Sequence, residues 1–201
     1  MLTRLIAALA VLVLAGCATA PLPDSQAPGW AARQLQLQAL ESWQVLGKMG
    51  VRQPDRYTSA SLNWTQQPRR YQIFLAGPLG QGSVRIQGTP GLVTLDIAGE
   101  GRFQAATPEQ MLQAQLGWHL PISQLHYWVR GLPAPDYPSR HTLDPQNRLE
   151  RLEQQGWVIQ YREYQDGPPP QLPRRLILSH GDSLRVVLLL KEWTLPPPPH
   201  S

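Results

Sequence analysis

Residues 58–97 read TSASLNWTQQPRRYQIFLAGPLGQGSVRIQGTPGLVTLDI, and the alternation within them decides the fold. Thr58, Ala60, Leu62 and Trp64 alternate with Ser59, Ser61 and Asn63, the period of two that sends successive side chains to opposite faces of a strand. Tyr71, Ile73 and Leu75 continue the pattern. Val84 and Ile86 then alternate with Arg85 and Gln87, and Val93, Leu95 and Ile97 with Thr94 and Asp96. Turn signals separate the four runs: Gln67-Pro68, Gly77-Pro78 with Gly80 and Gly82 behind it, Thr89-Pro90-Gly91, and residues 99–101. Four short strands, each with a wet and a dry face, predict an antiparallel meander.

Downstream the period changes. Thr107-Pro108-Glu109-Gln110 is a helix start, with Thr107 as N-cap, Pro108 at the first helical position and Gln110 placed to complete a capping box. Met111, Leu112 and Leu116 supply its apolar face, and Gly117 can end it. A second helix is expected from about Pro121, with Ile122, Leu125, Trp128 and Val129 spaced by three and four, stopping at Gly131. Strands resume at residues 149–152, 157–164, 172–179 and 184–193. The uniformly apolar run 186–190 implies a strand covered on both faces. Upstream, residues 30–39 read as an amphipathic helix with Leu35, Leu37 and Leu40. A sheet of eight or more strands rarely stays flat. The predicted fold is therefore mainly β with α: a curved antiparallel half-barrel sheet with helices capping an apolar cavity.

The ends of the 201-residue chain are of another kind. After Met1-Leu2-Thr3-Arg4 the sequence is apolar for 11 residues, from Leu5 to Ala15, ahead of Gly16 and Cys17. That is an export-signal layout, and it falls short of the roughly 20 residues a bilayer-spanning helix needs. Leu14-Ala15-Gly16-Cys17 resembles the lipobox of bacterial lipoproteins at every position. The resemblance implies a diacylglyceryl group on the Cys17 sulfur, cleavage before Cys17 and acylation of the freed amine. Residues 1–16 are thus read as signal peptide, 17–29 as lipidated N-terminus and tether, 30–195 as the domain, and 196–201 as a disordered proline-rich tail.

Cys17 is the chain's single cysteine, so the domain has no internal disulfide and must rest on its core. Without residues 1–16, Lys and Arg number 17 against 14 Asp and Glu, a mild positive charge that selects no partner. Basic residues occur singly or as the pairs Arg69-Arg70 and Arg174-Arg175, without the stripe or aromatic platform of a nucleic-acid binder. Catalytic patterns are missing too. His119, His126, His141, His180 and His200 form no HExxH motif, and the serines lack a nucleophile elbow. Glu150 and Glu153 read as strand-edge or loop charges, and Gly77, Gly80 and Gly82 as turn residues and not a phosphate loop. No enzyme, metal site or cofactor is expected. The tryptophans, Trp30, Trp43, Trp64, Trp118, Trp128, Trp157 and Trp193, read chiefly as core, with pocket lining as the alternative.

Three segments carry a family resemblance: residues 70–80, RYQIFLAGPLG; residues 121–133, PISQLHYWVRGLP; and the stretch 157–164. In the second, Pro-Ile, Leu, Trp and Gly-Leu-Pro all fall at the spacing of the LolB family of outer-membrane lipoprotein receptors. The resemblance implies a half-open barrel whose apolar cavity receives lipid-modified proteins from the soluble periplasmic carrier LolA. It further implies delivery into the inner leaflet of the outer membrane, with the domain anchored there and facing the periplasm, as an expected monomer. Ala18, in place of the aspartate of retained lipoproteins, agrees by analogy with an outer-membrane address. Leu79, between Pro78 and Gly80, matches the family's protruding loop and is the implied membrane-insertion residue. Cavity candidates are Trp64, Ile73, Leu75, Val84, Leu125, Trp128, Trp157 and Val187, each subject to the face exchange that a one-residue register error brings. The alternative is a lipid-anchored periplasmic binding or assembly module for another apolar ligand or protein partner.

Overall fold

A computed structural model describes residues 28–78, 82–117 and 119–196. Its strands are β1 (Trp43–Arg52), β2 (Tyr57–Gln67), β3 (Arg70–Ala76), β4 (Ser83–Thr89), β5 (Leu92–Ile97), β6 (Gly101–Ala105), β7 (Ser139–Leu143), β8 (Leu149–Gln154), β9 (Trp157–Tyr164), β10 (Pro173–His180) and β11 (Leu184–Thr194). The helices are α1 (Trp30–Gln38), α2 (Pro108–Leu116) and α3 (Ile122–Trp128). All eleven strands form one sheet in the order β6-β5-β4-β3-β2-β1-β11-β10-β9-β8-β7, antiparallel throughout. The chain therefore walks out from β1 to one edge, crosses to the opposite edge through α2 and α3, and walks back until β11 closes on β1.

That crossing requires curvature. A seven-residue helix such as α3 is about 10 Å long. Its Ile122 and Leu125 share a hollow with Trp64 on β2, while Trp128 bonds Gln154 on β8. In a flat sheet those strands would lie five spacings, about 24 Å, apart. The sheet must curl around the helix, and the polar residues of β2 to β5 (Asn63, Gln72, Arg85, Gln87, Asp96) are left on the convex face.

Two backbone features set the bend. Leu46 pairs with Glu192 and Gly47 with Leu190, so Lys191 is an extra residue in β11. Up to that bulge the buried side chains of β11 are the even ones, Leu184 to Leu190; beyond it Trp193 turns inward beside Trp43, ring centroids 5.3 Å apart. Gly47 permits the close approach, because a Cβ there would lie 2.0 Å from the Leu189 carbonyl oxygen.

The structure reproduces the sheet-and-helix architecture read from sequence and alters several details. Strands β1, β6 and β7 were not expected. Leu35, assigned to the apolar face of α1, is 68% exposed, and Arg33 is buried in its place beside Leu37. The stretch 186–190 alternates, with Val187 and Leu189 only half-buried on the convex side. Thr107 caps α2 by accepting from the Gln110 amide at 3.3 Å, and Gly117 ends it at φ 67°. The residue before Gln110 bonds elsewhere: Glu109 reaches forward and its carboxylate accepts from the Ser123 amide at 2.9 Å. Since Pro121 offers α3 no side-chain cap, this bond joins the two helices. No helix among the described residues is long and apolar enough to cross a membrane.

Candidate functional site: an apolar hollow under two helices

Concave-facing side chains from five strands meet the lid helices around one apolar space. Met49, Leu62, Trp64, Ile73, Leu75, Ile86 and Leu188 form its wall, and Leu112, Leu120, Ile122 and Leu125 its roof. Register explains the wall: Leu62 faces Leu75, Trp64 faces Ile73, and Ile73 faces Ile86 directly across neighbouring strands. The space open to the centre of a water-sized sphere is about 20 Å³, room for about one water and far too little for an acyl chain. The hollow is closed, and any chain that entered would have to lift the roof.

The roof is held unevenly. At the far end of α3, Trp128 Nε1 donates to Gln154 Oε1 at 2.8 Å, and the Ala134 amide donates to the same oxygen at 2.9 Å. The Gln154 amide donates in turn to the carbonyls of Ala134 and Tyr137, both at 2.8 Å. Gln154, 3% exposed, thus has every polar valence met. Tyr161 Oη adds a bond to the Trp128 carbonyl at 3.0 Å. Arg130 follows α3 and is buried with no ion pair among the described residues; it donates to the carbonyls of Leu37 at 3.1 Å and Leu40 at 2.8 Å, at and just past the end of α1, and to the His126 carbonyl at 3.1 Å. Its Nη2 lies 3.1 Å from His126 Nε2. Burial, and then the Arg130 charge, push the imidazole down to about 4, so at neutral pH the ring is uncharged and Nε2 can accept. At the front of the roof α2 buries Pro108, Met111 and Leu112, and among the described residues no side-chain hydrogen bond ties it to the sheet, the Glu109 bond running to α3.

Of the sequence candidates, Trp64, Ile73, Leu75 and Leu125 line the hollow. Val84 is half-buried against the same cluster, opposite Leu75. Trp128 and Trp157, ring centroids 6.1 Å apart, sit in the core at the fixed end of α3 and do not reach it. Val187 lies on the convex face, in the opposite phase from Leu188, because an all-apolar strand carries no sign of which phase points inward. Pro78 is exposed at the end of β3. Cys17, Leu79 and Gly80 lie outside the described residues. Sequence reasoning missed Gln154, Arg130, Glu109 and Arg33; Arg33 is buried between the Gln171 carbonyl and the Tyr164 ring.

These features define a class: one half-closed antiparallel sheet curled over a small apolar hollow and roofed by helices from the crossover. A LolA superfamily protein of Nitrosomonas europaea has the same fold, with a TM-score of 0.55 at 11% identity over 83% of this chain and 94% of that one. The sequence profile of the family described as outer membrane lipoprotein LolB matches residues 41–193. The outer-membrane lipoprotein LolB of Pseudomonas aeruginosa is 47% identical over 193 residues, 94% of each chain, and that of Stutzerimonas stutzeri 43% over 198 residues, 96% of each. The chain belongs to the LolB family.

Proposed function

We propose that this protein is the outer-membrane receptor that takes lipoproteins from the carrier LolA and incorporates them into the inner leaflet of that membrane. The carrying observation is the dry hollow beneath a roof fixed at one end and lightly held at the other. A chain with fourteen methylenes gains roughly 11 kcal/mol on leaving water, at about 0.8 kcal/mol each. Uncovering Leu112, Leu120, Ile122 and Leu125 costs roughly 6–12 kcal/mol at about 1.5–3 kcal/mol for each buried side chain. The two nearly cancel. A receptor so balanced shelters a chain from water and still yields it to a bilayer, where the chain is equally dry and the roof can close again.

In this reading the acyl chains occupy the space bordered by Trp64, Ile73, Leu75, Val84 and Leu125. Cys17 bears the lipid that keeps the domain on the periplasmic side of the outer membrane, and Leu79, flanked by Pro78 and Gly80, enters the lipid during delivery. The protein acts as a monomer, and transfer uses no covalent chemistry. The test is to mix LolA loaded with a labelled lipoprotein with liposomes carrying the full lipidated protein. The label should leave the carrier and appear in the vesicles; retention on LolA under those conditions would refute the assignment.

A further inference from the structure

A second space adjoins the hollow at the end of the sheet away from the Pro78 turn. The β2–β3 and β4–β5 turns and the first residues of α2 and α3 enclose a cleft of about 320 Å³. Trp64 and Ile122 border both this cleft and the hollow, so the two spaces adjoin at those side chains. Two polar atoms on residues lining the cleft are buried without a hydrogen-bond partner among the described residues: Nε1 of Trp64, itself 2% exposed, and the hydroxyl of Tyr71. Tyr71 is held by its ring lying flat on Gly88, where a Cβ would come within 2.2 Å of it.

The chemistry of that pair is narrow. An indole N–H only donates, and a phenol can donate beside it, so what they lack is an acceptor. Burial, with Glu109 nearby, raises the Tyr71 hydroxyl and keeps its proton in place. His126, also on the cleft, is already engaged with Arg130. Arg69 and Arg70, the arginines that line the cleft, are exposed at its rim. An uncharged pair of donors inside suits a carbonyl oxygen better than a phosphate.

We propose that this cleft is a subsite for the ester carbonyls of an acylated glycerol, which accept from Trp64 Nε1 and Tyr71 Oη while the attached chain passes Ile122 into the hollow. The inference rests on the chain-binding reading above and adds that the protein reads the ester as well as the hydrocarbon. Both donors are shut off from water in the closed conformation. They become available when α3 moves Ile122, the motion that also admits a chain.

The experiment compares dioctanoylglycerol with its diether analogue, dioctylglycerol, as competitors of a fluorescent chain probe on the full-length protein in mild detergent. The ester should bind about five- to tenfold more tightly, the yield of one or two neutral hydrogen bonds. Tyr71→Phe should cut the ester preference to about two- to threefold, the part left to Trp64 Nε1, while ether affinity stays unchanged. The unfolding midpoint of that variant should not fall, because the hydroxyl gives up no partner. Equal wild-type affinities for ester and ether would overturn the subsite and leave chain binding standing, as would an equal loss of both ligands in Tyr71→Phe. Failure of either ligand to compete would remove the chain-binding reading itself, and the subsite with it.

Discussion

Leu112→Ala separates a hollow built for chains from an ordinary core. Leu112 is 1% exposed, lies on α2 and forms part of the roof. The substitution deletes three carbon groups, about 2.4 kcal/mol of burial at about 0.8 kcal/mol each, and leaves a void costing about 1 kcal/mol more. The closed state should therefore lose about 3 kcal/mol, read as a lower urea midpoint with unchanged slope. In the loaded state the chain fills that void, so the cavity part of the penalty disappears. Where Leu112 is also turned out to water in that state, most of the burial part disappears too. Affinity for a fluorescent fatty-acid probe should rise, between about fivefold and about a hundredfold, because opening costs less. Stability and affinity must move in opposite directions. Were both to fall together, the hollow would be ordinary core and the roof would not open to ligand.

Gln154→Leu should cost about 3 kcal/mol in urea unfolding, since it strands the Trp128 indole and the Ala134 amide in the core; a loss below about 1 kcal/mol would show that the far end of α3 is fixed by packing alone. His126 has a folded-state pKa near 4 against 6.5 when free, so on acidification the unfolded chain takes up the proton first. Its contribution to stability is complete above about pH 6.5 and falls by about 3 kcal/mol as the pH drops to about 4. His126→Gln should escape that loss, and a gap between the two proteins that stays constant from neutral pH to pH 4 would contradict the assignment. Leu79→Glu should leave cargo acceptance from LolA intact and stop incorporation into vesicles; normal incorporation would show that the turn does not act at the membrane.

What could be read in advance follows from where each signal resides. Strands β2 to β5 declare themselves because every second residue is apolar and each run ends in Gly or Pro. The register that places Trp64, Ile73 and Leu75 on one face follows from those turns. Strand β1 is hidden because Gly47 and Gly50 blank two positions and exposed Leu46 adds an apolar residue on the wrong face. Strand β7, SRHTL, lies at the sheet edge with no fully buried side chain, so it has no periodicity to show. The roof helices were legible from Thr107, Pro108 and Gly117, yet what holds them was not. Gln154 and Arg130 act on segments 17 to 93 residues away, and nothing local distinguishes them from surface residues. The same limit applies to Val187, which only the pairing of β11 with its neighbours assigns to a face.

The central claim is that acyl chains travel on the concave face, beneath α2 and α3. Photocrosslinking from adjacent positions of one strand tests it directly. Ile86 faces the hollow and is 2% exposed, while Gln87, the next residue, is exposed on the convex face. A photoreactive phenylalanine analogue is placed at one position or the other, and LolA loaded with a lipoprotein labelled in its acyl chains is added before irradiation. Label should attach at position 86 and be absent at position 87. Equal labelling at both, or none at 86 while cargo still leaves the carrier, would contradict the account.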